Sequence, residues 1–186
     1  ILIRDVESLE KAHQLDAILF DKTGTLTENR MTVTRVYAGT RIFDVTGTGY
    51  AIKGDFLLDG ESVEAQENAA LMQLLMCGFN CNNAHLSGEG GTGDPTELAL
   101  RISGAKARLV VDGVHRLEEI PFDSSAKYMA VLVETQGKHI ILVKGAPEVV
   151  VPMCSSTLDA QDNSIPLDAQ TALYTASFAW EPEWGW

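Results

Sequence analysis

The sequence AILFDKTGTLT, residues 17–27, decides how the rest of this chain is interpreted. Its first four residues are apolar, which is typical of a strand covered on both faces, as in a parallel sheet. Asp21 follows this run directly, and Gly24 then interrupts the pattern. Because open α/β sheets bind their ligands beyond the carboxyl ends of the strands, we expect Asp21 to lie at a ligand site.

A carboxylate in this position can attack a phosphoryl group and form an aspartyl-phosphate. The charge of the phosphate would be offset by Lys22, by the hydroxyls of Thr23 and Thr25, and by backbone N–H groups near Gly24. Phosphatases of the haloacid dehalogenase class carry a second Asp, as general acid and base, where this chain has Thr23. Since Thr cannot accept a proton near neutral pH, we expect a long-lived phosphoenzyme, which suits an energy-coupling cycle.

Composition limits the classes of partner that this chain can have. It has 186 residues, of which 26 are acidic and 14 are Lys or Arg, so the net charge is −12. This charge repels nucleic acid and anionic lipid, and an anionic ligand would need a local basic pocket. No apolar run approaches the roughly 18 residues that span a bilayer, so we expect no direct membrane insertion. Three cysteines, an odd number, indicate a reducing compartment rather than a disulfide framework.

The pattern of apolar residues and turns changes near Val33. We predict a fragment at residues 1–33, a larger domain at 34–178 and an atypical tail at 179–186. Neighbouring strands joined by tight turns predict an α+β fold in which helices flank an antiparallel sheet. The predicted elements are strands at 32–37 and 41–45, a turn-rich segment at 47–60, a helix at 64–81, a helix that begins at Asp94-Pro95, hairpins at 107–120 and 128–143, and a short helix from Pro147 toward Met153.

Four motifs in order resemble one family. Residues 21–27 resemble the phosphorylation motif of P-type ATPases, the E1-E2 cation-transporting ATPases. GDPTE at 93–97, PFDSSAKYM at 121–129 and KGAPE at 144–148 resemble nucleotide-binding-domain motifs of the calcium- and related cation-pumping subfamily. Residues 10–20 resemble the heavy-metal-pumping subfamily instead, which leaves the transported ion open. The resemblance covers roughly residues 1–160.

The resemblance implies a fold and a role for the whole protein. The fold is a P-type ATPase nucleotide-binding domain, preceded by a helix–strand fragment of a haloacid-dehalogenase-like phosphorylation domain. The role is to couple ATP hydrolysis to cation transport, of the calcium type, as a cytoplasmic domain of an integral membrane protein. The implied partners are ATP and the remaining domains of the same pump: the actuator, the rest of the phosphorylation domain and the membrane helices. We expect this fragment to bind ATP but not to transport.

The resemblance also implies the site residues. Asp21 would be phosphorylated, Thr23 would contact the phosphate, and Lys22, the third catalytic residue, would offset its charge. Asp21 and Thr23 would hold Mg²⁺ in a site that is incomplete within this sequence. The residues implied for the adenine pocket are Glu97, Phe122, Lys127, Met129, Lys144 and Gly145.

The chemistry of these residue types suits a nucleotide. The ring of Phe122 offers a flat apolar face on which adenine can stack. Glu97 can accept a hydrogen bond from an exocyclic amine, and Lys127 and Lys144 bring positive charge to an acidic protein. Gly145, which lacks a Cβ, would let a ligand approach the backbone closely.

Two other motifs are set aside. GEGGTG at 88–93 matches the dinucleotide pattern G-x-G-x-x-G, but no strand precedes it and no βαβ unit follows. We interpret it as a flexible loop ahead of the helix at Asp94. Cys77, Cys81 and His85 have a spacing that could bind a soft metal, but Asn82-Asn83 is expected to end the helix before His85 and no fourth ligand is evident. Buried structural cysteines are the favoured interpretation.

Two alternatives to the pump interpretation remain open. One is a soluble phosphohydrolase of the haloacid dehalogenase fold, which turnover of a simple phosphomonoester would favour. The other is a non-catalytic binding module, which a stable fold without ATP binding would favour.

Overall fold

The computed structural model describes residues 16, 17, 19, 30–88 and 90–167. The chain divides into two compact units, residues 1–30 and residues 31–186, and the elements given below belong to the second unit. The predicted phosphorylation motif at Asp21, Lys22 and Thr23, the helix–strand fragment around it and the tail at 179–186 lie outside the described residues.

The described part of the second unit consists of short strands and three α-helices. Two 3₁₀ turns, Ala65–Glu67 and Val151–Met153, precede and follow helices. The elements are, in chain order, β1 (Arg35–Ala38), β2 (Arg41–Val45), β3 (Phe56–Leu58), β4 (Glu61–Val63), α1 (Ala69–Asn80), β5 (His85–Ser87), β6 (Gly90–Thr92), α2 (Pro95–Lys106), β7 (Val114–Asp123), β8 (Tyr128–Thr135), β9 (Lys138–Gly145), α3 (Pro147–Val150), β10 (Ser156–Leu158) and β11 (Ser164–Pro166).

The strands pair only with their neighbours in sequence. Within the described residues they form four antiparallel sheets, with the orders β1-β2-β3-β4, β5-β6, β7-β8-β9 and β10-β11. The predicted α+β class and antiparallel pairing are therefore confirmed, but the strands divide among several small sheets rather than one. No helix among the described residues is long and apolar enough to span a membrane.

Helix α1 packs against two apolar clusters. In the first cluster, Leu71 and Leu75 of α1 pack with Phe43 and Val36 from the β1–β4 sheet. In the second cluster, Cys81 at the end of α1 packs against the inner face of β8. That face follows the two-residue period of a strand and consists of Met129, Val131 and Val133, while Ala130 between them is buried as well.

The helix that begins at Asp94-Pro95 is confirmed. The Asp94 carboxylate accepts hydrogen bonds from the N–H groups of Thr96 (2.8 Å) and Glu97 (3.3 Å), and Pro95 takes the first helical position, where no N–H is needed. Helix α1 begins at Ala69, later than predicted. Its N-terminal N–H at Ala70 is capped through tertiary structure, by Asp162 in the β10–β11 turn at 2.8 Å.

The predicted hairpin at 107–120 is wrong in its first half. Helix α2 continues to Lys106, and residues 107–111 form no strand. Ala107 and Leu109 pack into the first apolar cluster, whereas Val110 of the same apolar run is 71% exposed, so the run is not the buried face of a strand. Strand β7 pairs instead with β8, whereas the predicted hairpin at 128–143 is confirmed as β8 and β9.

Two segments predicted as turns or loops contain strands. The turn-rich segment at 47–60 includes β3, which the turn at Asp59-Gly60 joins to β4. The glycine-rich segment at 88–93 includes β6, which pairs with β5. A Cβ on Gly91 would lie 2.4 Å from Leu98 Cδ2 and 2.5 Å from the His85 carbonyl, so glycine lets this hairpin pack tightly against α2.

Candidate functional site

An open cleft of about 1130 Å³ lies among α1, α2, α3 and the strands β1, β7, β8 and β9. It is bordered by residues that are far apart in the sequence, from Val33 to Val150. The structure brings together, at this cleft, all the residues implied for the adenine pocket: Glu97, Phe122, Lys127, Met129, Lys144 and Gly145.

Phe122 borders the cleft with an exposed ring. It lies on β7, where the pairing with β8 shifts by one residue between Ile120 and Asp123, so that Pro121 and Phe122 oppose a single residue of β8. Such a bulge redirects a side chain, and Pro121 has no N–H to lose there. The Phe122 side chain is 58% exposed, so the ring is available to a ligand rather than packed in the core.

Glu97 and Lys144 form a partly buried ion pair in the cleft. Lys144 Nζ lies 2.5 Å from Glu97 Oε1, and the two side chains are 19% and 14% exposed. The other carboxylate oxygen, Oε2, accepts the N–H of Asn83 at 3.1 Å. Each carboxylate oxygen has further lone pairs, so Glu97 can still accept a hydrogen bond from a ligand.

Lys127 is held at the edge of the cleft by a tight turn. Its φ of +58° is unusual for a residue with a Cβ. The turn is fixed because the Lys127 N–H donates to the Asp123 carbonyl at 2.7 Å and its carbonyl accepts the N–H of Ala146 at 2.9 Å. The Lys127 ammonium lies 2.8 Å from Glu148 Oε1, and this hydrogen bond lowers the pKa of Glu148.

The Asp123 carboxylate organises the same turn. Its Oδ1 accepts from the hydroxyl and the N–H of Ser125 and from the N–H of Ala126. These hydrogen bonds, the Ser125 hydroxyl first, lower the pKa of Asp123.

Gly145 and Met129 contribute differently from the sequence-based expectation. A Cβ on Gly145 would lie 2.4 Å from the Lys127 carbonyl oxygen and 2.7 Å from Tyr128 Cα. The glycine is therefore required for close packing of protein backbone against protein backbone. Met129 is completely buried, so it supports the cleft wall from within the second apolar cluster.

Cys77 of α1 and Cys81, the residue after the helix, are structural. The thiol of Cys77 donates to the Val143 carbonyl at 3.3 Å, and that of Cys81 donates to the Met129 carbonyl at 3.5 Å. Burial raises the pKa of Cys77 to about 11 and also raises that of Cys81. His85 lies exposed on β5, and the described ranges contain no cluster of three or more His, Cys, Asp or Glu side chains able to hold a metal.

Several cleft residues have no signal in the sequence. Arg35 and Tyr37 reach the cleft from β1, and Leu74 from α1. Leu74 shares the helical apolar spacing of α1, yet it is 47% exposed. Arg35 and Tyr37 lie about 60 or more positions before Glu97 and the other motif residues of the cleft, and only packing brings them together.

The sequence matches known proteins over most of its length. The family model described as P-type ATPase, cytoplasmic domain N, matches residues 70–177. A calcium-transporting ATPase of Bacillus subtilis is 39% identical over 163 residues, which cover 83% of this chain and 18% of that protein.

Two further relatives are also named as cation- or calcium-transporting ATPases. The cation-transporting ATPase pma1 of Synechocystis is 37% identical over 186 residues, covering 90% of this chain and 20% of that protein. Human calcium-transporting ATPase type 2C member 1 is 33% identical over 178 residues, covering 91% and 19%. The chain thus spans about a fifth of the length of these relatives.

Proposed function

This chain belongs to the P-type ATPase family through its cytoplasmic domain N, and on that premise we propose that it binds ATP in the cleft bordered by α2 and the β7–β9 sheet. The observation that carries the proposal is the convergence of the motif residues on one cleft. Residues from three motifs, between Glu97 and Gly145, border it together with an exposed aromatic ring and two lysines.

The adenine ring stacks on Phe122 in this proposal. The exposed phenyl ring supplies a flat apolar surface, and stacking of a base on an aromatic side chain contributes ~1–3 kcal/mol. Glu97, held by Lys144 and the Asn83 N–H, accepts a hydrogen bond from the exocyclic amine of adenine.

The phosphates are attracted by Lys127 and Lys144. Lys127 is well exposed at the cleft edge, whereas Lys144 is largely enclosed beside Glu97. The protein as a whole is strongly acidic, so these two ammonium groups are the positive charge that the motifs bring to the cleft.

In the whole protein we propose that Asp21 accepts the γ-phosphoryl group of ATP. A carboxylate oxygen of Asp21 bonds to phosphorus, the bond to the bridging oxygen of ADP breaks, and ADP leaves; water later releases phosphate from Asp21. Lys22 offsets charge on the transferred group. Mg²⁺ held by Asp21 and Thr23 would neutralise phosphate charge when bound.

The whole protein is proposed to couple this cycle to cation transport. Relatives named as calcium-transporting ATPases support a calcium-type ion. The proposed partners are the remaining domains of the same pump, with this chain as part of the cytoplasmic region of a membrane protein. The fragment by itself is proposed to bind ATP without transporting.

Isothermal titration of ATP into the full chain tests the binding site. We expect micromolar-to-millimolar binding by the wild type. Phe122→Ala should weaken it by about 5- to 150-fold, because a stack of ~1–3 kcal/mol is lost. Lys144→Ala should also weaken binding, because it removes a cation from the cleft and leaves Glu97 unpaired.

Ile141→Ala is the matched control for Phe122→Ala. Ile141 is an exposed apolar residue of the same sheet that does not border the cleft, so its loss should leave ATP affinity unchanged. A well-folded wild type that binds no ATP would contradict the proposal and favour a non-catalytic binding module. Turnover of a simple phosphomonoester would favour the phosphohydrolase alternative.

A further inference from the structure

Asn82 is a buried polar residue in the connection between α1 and β5. It is 1% exposed, whereas the next residue, Asn83, is exposed. A buried side-chain amide costs free energy unless its donors and acceptor find partners. The hydrogen bonds of Asn82 therefore indicate what holds this polar residue in a buried position.

The Asn82 side chain ties the end of α1 to the beginning of α2. Its Nδ2 donates to the Gly78 carbonyl at 3.0 Å and to the Glu97 carbonyl at 2.8 Å. Its Oδ1 accepts the N–H of Ala84 at 2.8 Å. The Asn82 side chain donates two hydrogen bonds and accepts one. Only an amide can do this, because a carboxylate cannot donate to two carbonyls. The Gly78 carbonyl is one of the last in α1, which the helix itself leaves without partners.

The same connection reaches the cleft through its backbone. Asn83 lies between Asn82 and Ala84, which the side-chain bonds of Asn82 fix, and its N–H donates to Glu97 Oε2. Arg116 of β7 donates to the Asn82 carbonyl at 3.0 Å and so holds the connection from a third element. The direction of the Asn83 N–H is thus set by Asn82 and its contacts.

We infer that Asn82 is a positioning residue for Glu97, and so for recognition of the exocyclic amine of adenine. It acts twice on the same residue: it binds the Glu97 carbonyl directly, and it aims the Asn83 N–H at the Glu97 carboxylate. With Lys144 on Oε1 and Asn83 on Oε2, the carboxylate has one orientation. The inference rests on the proposed function, in which Glu97 contacts adenine.

Discrimination between ATP and ITP tests the inference in the full chain. ITP carries a carbonyl in place of the exocyclic amine and gains nothing from an oriented Glu97. We expect the wild type to bind ATP about tenfold more tightly than ITP, the ratio that one hydrogen bond to a charged group supports. Asn82→Ala and Glu97→Ala should each remove most of this preference. The double variant should lose no more than Glu97→Ala alone, since both act through one carboxylate.

Asn68→Ala is the matched control. Asn68 is also a buried asparagine, at the opposite end of α1, where its amide donates to the Glu64 carbonyl at 3.2 Å. This variant should unfold at lower urea concentration while keeping the ATP-to-ITP ratio. Asn82→Ser, which keeps one donor in a smaller side chain, is the second variant to use if Asn82→Ala does not fold.

The inference alone would be overturned if a folded Asn82 variant kept the wild-type ratio of ATP to ITP affinity while Glu97→Ala lost the preference for ATP. A folded wild type that binds neither nucleotide would instead contradict the proposed function. In that case the exchange of the Asn83 amide proton with solvent still decides. It should be faster in Asn82→Ser, as in Glu97→Ala, and an unchanged exchange rate in a folded Asn82→Ser would overturn the inference.

Discussion

At the scale of single residues, both motif lysines of the cleft are paired with carboxylates. Lys127 pairs with Glu148 and Lys144 with Glu97, which offsets the positive charge that the sequence brings to the site. In the proposed binding mode, a triphosphate would therefore compete with these carboxylates for the ammonium groups. We expect the adenosine part of ATP to contribute more to affinity than the phosphates, since ring stacking meets no such competitor.

Glu148→Gln should tighten ATP binding. The substitution frees Lys127 from an exposed ion pair, and such pairs contribute ~0.2–1 kcal/mol, so the dissociation constant for ATP should fall by up to about fivefold. Adenosine, which has no phosphate, should bind as before. Titration calorimetry with both ligands at low ionic strength measures the difference, which should shrink at high salt.

Glu118→Gln makes the same change of charge on β7, at a residue that does not border the cleft. It should raise ATP affinity less than Glu148→Gln does. Equal gains in the two variants would mean that net charge alone is responsible, and that the Lys127–Glu148 pair does not restrain ATP binding.

At the scale of elements, the turn between β7 and β8 presents Lys127 to the cleft. Asp123 closes the turn through its carboxylate, and Gly145 on β9 lets the backbone at Lys127 pack closely against it. The turn is thus stabilised by its own hydrogen bonds, and the Asp123 carboxylate is their main acceptor. Protonation of that carboxylate should loosen the turn.

The carboxyl pKa of Asp123 should lie below its ordinary value of 3.8 in the folded chain, because the Ser125 hydroxyl and two N–H groups donate to the ionised form. Because the Asp123 pKa is lower in the folded than in the unfolded state, the ionised carboxylate stabilises the fold at pH values above the unfolded-state pKa. This stabilisation is lost as pH falls through the folded-state pKa. Carbon-13 NMR titration of the carboxyl group measures the pKa.

Ser125→Ala should raise the Asp123 pKa toward its ordinary value, since it removes the largest single cause of the shift. Ser124→Ala, which removes the neighbouring hydroxyl of the same turn, is the control and should leave that pKa in place. If both variants shifted the pKa equally, the Ser125 hydrogen bond would not be its cause.

At the scale of the whole molecule, α1 unites the described part of the second unit because it contributes to both apolar clusters. The three cysteines of the chain differ in exposure because of that packing. Cys81 is buried and Cys77 is half-buried beside β9, whereas Cys154, beyond α3, is exposed.

A thiol reagent should therefore react quickly with one cysteine of the native chain. At pH 8 a thiol whose pKa is about 11, as for Cys77, is ionised to about one part in a thousand, and Cys81 is shielded by packing. We expect a fast phase of one equivalent and two slow equivalents whose rate rises with urea.

Cys154→Ser should abolish the fast phase, and the matched variant Cys77→Ser should leave it unchanged. Fast reaction of two or three thiols in the native wild type would contradict the packing of α1 between the two clusters. Absorbance of the released thiol chromophore follows the reaction directly.

The sequence alone determined the features that depend on neighbouring residues. Asp94 followed by Pro95 predicted the start of α2, because capping needs only a carboxylate next to the first turn. The apolar runs at 128–134 and 138–143, joined by a short turn at Gln136-Gly137, predicted β8 and β9, because a hairpin signal lies in neighbouring residues. The order of the motifs predicted the family. The roles of Asp21, Lys22 and Thr23 remain predictions.

Only the tertiary structure decided which side chains are exposed and which are paired. An isolated Phe122 favours core packing, yet it is 58% exposed, because it lies on β7, a strand whose residues from His115 to Asp123 are all exposed. The Lys144–Glu97 pair joins residues 47 positions apart, and β1 reaches the cleft from still farther away. Residues 107–111 carried a strand-like apolar pattern but form no strand, and Ala107 and Leu109 pack into the first apolar cluster instead. The pattern of a sequence shows which residues are apolar, whereas the residues that each of them contacts depend on how the elements pack.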